Sequence, residues 1–215
     1  MVTLEERVLA KNDSLAAANR HRLAASGIVA VNLMSAPGAG KTTLLERTIR
    51  ELGPSRPIAV IEGDQATPLD AERIRRTGCA VVQVNTGAGC HLDAAMVARA
   101  LDDLDPPDGA LLFIENVGNL VCPALFDLGE AARVVITAVT EGDDKPLKYP
   151  HMFAAAGLVL INKTDLSPYV PFDLDACRRH VAMVSPAAKV IDLSAATGAG
   201  TAAWYEWLAG IFAVL

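Results

Sequence analysis

The chain has 215 residues, of which 52% are hydrophobic and 20% charged, with a net charge of −6. Such a composition can bury a core and excludes collagen-like and disordered classes. The acidic balance argues against a nucleic-acid partner, which would need clustered cations, and no apolar run approaches the ~18 residues of a membrane span. The N-terminus carries Glu5 and Glu6 where a signal peptide would have a basic flank. The expectation is a cytoplasmic protein whose four cysteines are thiols.

Residues from about Thr3 to Ala25 read as a helix, with Leu4, Val8, Leu15 and Ala18 marking an apolar stripe and Gly27 ending it. Short runs rich in Val, Ile and Leu then alternate with helical stretches. They cover Ile28 to Met34, Ile58 to Ile61, Ala80 to Val84, Ala110 to Ile114, Val134 to Val139, Leu158 to Ile161 and Val190 to Leu193. Continuous apolar runs suit strands covered on both faces. The alternation predicts an α/β fold with a mostly parallel sheet of about seven strands and helices on both sides. Chemistry is then expected in the loops after the strands. Residues 1–26 are read as a helical extension and 27–215 as one nucleotide-binding domain.

The first run leads into Ser35-Ala36-Pro37-Gly38-Ala39-Gly40-Lys41-Thr42-Thr43 and a helix. This is a phosphate loop with Ser35 in place of the first glycine of the strict pattern. Gly38, Ala39 and Gly40 let backbone N–H groups turn toward phosphate oxygens. Lys41 would reach the β- and γ-phosphates, with Thr42 on Mg²⁺ and Thr43 beside it. Glu62-Gly63-Asp64 and Glu115-Asn116-Val117-Gly118 end two further strands. Asp64 and Glu115 are candidate magnesium carboxylates, Asp64 also a catalytic one, and Gly118 a γ-phosphate donor. No water-positioning glutamine or arginine finger is evident, so slow turnover is expected.

Asn162-Lys163-Thr164-Asp165 follows the sixth run. Asp165 can accept both donors of guanine, which adenine lacks. Lys163 can lay its stem on the base, and Ser194-Ala195 would close over it. Cys90 and His91 follow the third run near a helix start, where the dipole would lower a thiol pKa. Cys122 lies four residues after Gly118. Thiolates and an imidazole are ligands for Ni²⁺ or Zn²⁺. Three ligands are one short of a closed four-coordinate site, which suggests a site shared across a symmetric dimer or completed by water. Cys177 belongs to a core stripe with Val181 and Val184, Cys79 is expected to be buried, and His21 and His151 to be at the surface. Lys145 to Pro150 reads as a polar loop.

Together these motifs resemble the hydrogenase nickel-incorporation GTPases, the HypB family. The resemblance also draws on Gln65, Asp70, Asn85-Thr86-Gly87 leading to Gly89-Cys90-His91-Leu92-Asp93, Asn119-Leu120-Val121-Cys122-Pro123 and Thr140-Glu141-Gly142-Asp143-Asp144-Lys145. It implies a SIMIBI-like P-loop G domain and Mg²⁺-dependent hydrolysis of GTP. It also implies a GTP-promoted homodimer, a metal site of Cys90, His91 and Cys122, and work with the zinc-containing accessory protein HypA on the large subunit of nickel-iron hydrogenase. Some members carry a Cys-rich or His-rich segment near the N-terminus. Before the first strand there is no Cys and only His21 here, so no separate metal site is expected in that segment. The related urease accessory GTPases place Pro between Cys and His, whereas Cys90 and His91 adjoin. An ATP-dependent small-molecule kinase would use the same phosphate loop, but Asp165 opposes it. A metal-storage module that holds nucleotide without useful hydrolysis is the other alternative, to be separated by turnover with and without metal.

Overall fold

The computed structural model describes residues 4–64, 67–87 and 89–214. Thr3 and Gln65, named above, lie outside them. Helix α1 (Leu4–Ala25) is followed by β1 (Val29–Ser35), α2 (Lys41–Leu52), β2 (Ile58–Asp64), α3 (Leu69–Arg75) and β3 (Ala80–Asn85). Next come α4 (Ala94–Leu104), β4 (Leu111–Glu115), β5 (Ala132–Ala138), α5 (Lys145–Lys148) and α6 (Pro150–Ala154). The chain continues through β6 (Leu158–Asn162), α7 (Leu174–Val184), β7 (Lys189–Asp192) and α8 (Thr201–Val214). All strand pairs are parallel, in the order β3-β2-β4-β1-β5-β6-β7. No helix among the described residues is long and apolar enough to cross a membrane.

The apolar runs are strands because both faces are covered. Val29, Val31 and Leu33 of β1 face Leu44 and Leu45 of α2 and Trp204 of α8. Trp204 is fully buried, and its indole N–H finds the Thr48 hydroxyl at 3.0 Å, as a buried indole requires. Ala30 and Ala59 share the opposite face with Leu23 of α1 and Val97 and Leu101 of α4, while Met34 and Val135 pack toward α6 and α7. The central strands β1 and β4 are paired from Val29↔Leu111 to Leu33↔Glu115. Their carboxyl ends are therefore level, and the phosphate loop and the Glu115 segment emerge side by side.

Two local expectations are corrected. Helix α1 does not bury the stripe of Val8 and Ala18; Val8 is 48% exposed. Its inner face is Asn12, Ala16, Asn19 and Leu23, a helical spacing that apolar periodicity alone does not reveal because two of its four positions are amides. The Lys145 to Pro150 stretch is not a loop but the two short helices α5 and α6, each with proline in its first turn, where a missing N–H costs nothing.

Candidate functional site: a nucleotide cleft beside a thiol and imidazole cluster

The phosphate loop leaves β1 at Ser35 and enters α2 at Lys41. Gly38 and Gly40 have φ of +76° and +101°, a region that side chains resist. At Gly40 a β-carbon would also sit 2.4 Å from Asn162 Nδ2. Asn162 is a brace: its Nδ2 donates to Ala39 O at 2.8 Å and its Oδ1 accepts the Ala195 N–H at 2.9 Å. It thereby ties the phosphate loop to the Ser194-Ala195 loop. Lys41 Nζ donates to Ser35 Oγ at 3.0 Å, so the serine that replaces the usual glycine contacts the loop lysine.

A cleft of about 480 Å³ opens over this loop. Gly38, Gly40, Lys41, Thr42 and Thr43 of the loop and its helix line it, together with Asp64, Glu115, Gly118 and Lys163. Gly118 packs on Pro37, where a β-carbon would lie 3.0 Å from Pro37 Cα. The Thr42 hydroxyl donates to Glu115 Oε1 at 2.7 Å. Asp64 Oδ2 accepts from the Thr67 N–H and hydroxyl at 3.2 and 2.9 Å. Asp165 is exposed in the 3₁₀ turn Thr164–Tyr169, two residues after the cleft-lining Lys163, which holds φ +61° at the turn into it.

The structure adds two residues that the strand-end reading did not assign. Glu62 is paired with Glu115 across β2 and β4, and both side chains are buried. Burial, helped by the charges of Glu115, Asp64 and Asp70 and opposed by Lys41, pushes the Glu62 carboxyl up to about 8. Glu115 is likewise raised by burial, against the pull of Lys41 and the Thr42 hydrogen bond. One oxygen of each carboxylate, Glu62 Oε2 and Glu115 Oε2, is buried without a hydrogen-bond partner. The orphaned Glu115 oxygen, the Thr42 hydroxyl bound to its other oxygen and Asp64 in the same cleft are hard oxygen donors of the kind that suits Mg²⁺. Arg73 of α3 also lines the cleft, held by Glu46 at 2.7 Å, Asp70 at 3.2 Å and the Thr43 hydroxyl at 3.1 Å. Its signal in the sequence was only its spacing of three from Asp70.

Cys90, His91 and Cys122 come together from two loops, each offering a ligand atom within 4.8 Å of the others. All three are half-buried. The His91 ring stacks on Phe126 with centroids 4.0 Å apart, and burial lowers its pKa toward the neutral, ligating form. The Cys122 thiol is raised, first by its contact with the Cys90 thiol and then by burial. Cys90 lies close ahead of a helix start, outside the helix itself. Helix α4 starts at Ala94, and Asp93 caps it by accepting the Met96 N–H at 2.7 Å, so the dipole is already answered three residues beyond the thiol. Cys79 and Cys177 stand apart. Burial raises them to about 11 and about 12, which leaves them unreactive thiols. Cys79 is half-buried and Cys177 fully so, and His21 and His151 are exposed.

The cleft and the cluster are physically joined. Asn116 Oδ1 accepts the Leu92 N–H at 3.2 Å, and Asn119 Nδ2 donates to Cys90 O at 3.2 Å. Gly63, next to Asp64, meets the same leucine, since a β-carbon there would lie 2.7 Å from Leu92 Cγ.

A parallel sheet with a glycine-rich loop running from its central strand into a helix, an Asn-Lys-x-Asp segment after β6 and carboxylates level with the loop define a P-loop nucleoside triphosphatase. Residues 29–192 match the family model for the CobW/HypB/UreG nucleotide-binding domain. The chain is 60% identical over 208 residues to the hydrogenase maturation factor HypB of Azotobacter chroococcum, covering 97% of this chain and 68% of that protein. Among solved structures it resembles HypB from Archaeoglobus fulgidus at 45% identity and a TM-score of 0.88, covering 94% of this chain and 99% of that one. HypB from Helicobacter pylori in complex with nickel matches at 38% identity and a TM-score of 0.87, covering 94% and 95%. The chain belongs to the HypB hydrogenase maturation factors, GTPases of the CobW/HypB/UreG family.

Proposed function

We propose that this GTPase carries nickel as cargo on Cys90, His91 and Cys122 and that its nucleotide state sets how tightly the cargo is held. The observation that carries this reading is the single segment from Glu115 to Cys122. It begins at the nucleotide cleft and ends at the cluster, and Asn116 and Asn119 tie it to the Cys90 loop. A segment bound at both ends to different ligands is the bistable element that coupling requires.

In this reading residues 27–215 form one domain with the metal site built in, and 1–26 are an extension. The N–H groups from Gly38 to Thr43 and the α2 N-terminus cradle the phosphates, while Lys41 neutralises the β- and γ-oxygens. Thr42, Asp64 and Glu115 would hold Mg²⁺, which when bound would supply positive charge to the phosphoryl group being transferred. Asp64 orients the attacking water. Gly118 donates its N–H to the γ-phosphate and draws its segment toward the loop. Lys163 covers the guanine plane, Asp165 accepts its N1–H and exocyclic amine, and Asn162, Ser194 and Ala195 shape the base pocket. A thiolate pair with an imidazole suits Ni²⁺ or Zn²⁺, and with three ligands the site closes across a twofold axis or with water. GTP promotes that homodimer, a HypA-like protein exchanges metal with it, and the large subunit of nickel-iron hydrogenase receives the nickel.

The test is titration of the GDP form and a non-hydrolysable GTP-analogue form with nickel and with zinc, with mass measured in parallel. The expected difference is about 1–3 kcal/mol, roughly fivefold to 150-fold in affinity. Equal affinity at matched oligomer mass overturns the coupling. Equal displacement of GTP by ATP overturns the guanine assignment and restores the kinase alternative.

A further inference from the structure

The inner face of α1 is built from two buried asparagines, and both reach the segments that follow the metal ligands. Asn12 Oδ1 accepts the Ala94 N–H at 2.9 Å, and Asn12 Nδ2 donates to Asp127 O at 2.7 Å. About two turns further on, Asn19 Nδ2 donates to Ala94 O at 2.8 Å and to Leu128 O at 3.1 Å. Ala94 lies three residues after His91, and Asp127 five after Cys122. The two amides therefore cross-link the end of the Cys90 and His91 loop to the end of the Cys122 turn. Ala94 opens α4, so its N–H has no partner within its own helix, and Asn12 of another helix supplies one.

The fit is close on the other side too. At Gly129, φ +91°, a β-carbon would lie 2.6 Å from Ala16 O and 2.7 Å from Asn19 Cβ, so the strand-entry loop presses on the helix backbone. Between the two clamped segments Phe126 stacks on His91. A surface helix that needed only to cover apolar area would bury leucines. This one buries amides, each of which costs free energy unless both ends of its carboxamide are satisfied. Such a pair specifies one docking geometry and hence one separation of the two loops.

We infer that α1 is the positioning element of the metal cluster, with Asn12 and Asn19 fixing the distance between the Cys90-His91 loop and Cys122. The inference rests on the reading of those three residues as ligands, and it assigns the N-terminal helix a role in metal binding although it carries no ligand of its own. Outer partners that orient ligands are worth about tenfold to a hundredfold in metal affinity.

The experiment compares Asn12→Ala and Asn19→Ala with Arg22→Ala in the full chain. Arg22 also docks α1, through Asp102 at 2.6 Å and Leu101 O at 3.2 Å, but on the body of α4 away from the loops. Nickel affinity by chelator competition should fall about tenfold or more in each asparagine variant. It should be unchanged in Arg22→Ala. Metal-free protein gives an independent reading of the same distance. Diamide takes two electrons and two protons from Cys90 and Cys122 to join them, and peptide mapping times the disulfide. Its formation should slow in Asn12→Ala and Asn19→Ala only. GTP affinity close to that of the wild type confirms that each variant is folded, and Asn12→Asp, which keeps the acceptor for Ala94, should lose less than Asn12→Ala. Unchanged nickel affinity and disulfide rate in both alanine variants overturn the inference, as does an equal loss in Arg22→Ala. A wild type that binds no nickel would instead defeat the proposed cargo, and the disulfide rates would still decide the role of α1.

Discussion

The nucleotide cleft and the thiol cluster are neighbours built in opposite ways. The loop of the cleft is one uninterrupted stretch, Gly38 to Thr43, whose geometry is set by two glycines and a helix start. The cluster draws its side chains from two loops separated by the whole of α4 and β4, and a helix from the far N-terminus spans both. A contiguous site carries its shape in local backbone preference, so it tolerates change elsewhere. An assembled site inherits its shape from docking, so residues that never touch the ligand can disable it.

The sharpest way to separate the two regions is to disarm each in turn. Lys41→Ala should reduce single-turnover GTP hydrolysis by on the order of a hundredfold to a thousandfold, as for loss of one charge-stabilising donor. It should leave nickel stoichiometry in the nucleotide-free protein unchanged. Cys122→Ala should do the reverse: nickel binding is lost while GTP affinity stays within about twofold, because no phosphate contact is removed. In the wild type, metal affinity should climb with pH, since both thiols must ionise and the Cys122 thiol is held above its ordinary value.

Asp165→Asn tests the proposed reading of the base. Loss of a charged acceptor should weaken GTP by about 1.5–3 kcal/mol, with ATP affinity little changed. A uniform loss for both nucleotides would make Asp165 a structural residue of its turn.

Glu62 sharpens the comparison through pH. Its carboxyl is raised from 4.5 in the unfolded chain to about 8 in the fold, so the native state holds the extra proton between those values. The contribution of Glu62 to stability in magnesium-free buffer is then fullest below pH 4.5 and is lost as pH rises through about 8. Glu62→Gln should flatten that decline in urea titrations, though Glu115, shifted the same way, keeps part of it. Calorimetry in two buffers of different ionisation enthalpy should also register proton release when magnesium and GDP bind at pH 7, and less of it in Glu62→Gln. The smallest effect belongs to Cys79→Ala, which should leave nickel binding untouched because that thiol is raised to about 11 and hydrogen-bonded to Ile58 O at 3.2 Å.

The seven strands and the phosphate loop were legible in the chain because they depend on near-neighbour chemistry. Continuous Val, Ile and Leu runs require cover on both faces, and Gly-Lys-Thr after such a run requires a loop that turns inward. Cys90, His91 and Cys122 could be nominated from strand-end positions alone, since parallel strands deliver their following loops to one side of the sheet. The pairing of Glu62 with Glu115 was decided by sheet order, which sets β2 beside β4 and no residue pattern states. Arg73 reached the cleft in the same way, through the packing of α3 against α2. Helix α1 shows the limit most clearly. Its helical character followed from composition, but its buried face did not, because periodicity finds apolar stripes and this face is half amide. An amide is buried only where the carbonyls and N–H groups of Ala94, Asp127 and Leu128 await it, and those partners lie 75 to 115 residues away in the chain. Hydrogen bonds over such separations exist only once the sheet has brought their ends together, which is why tertiary structure alone decided them.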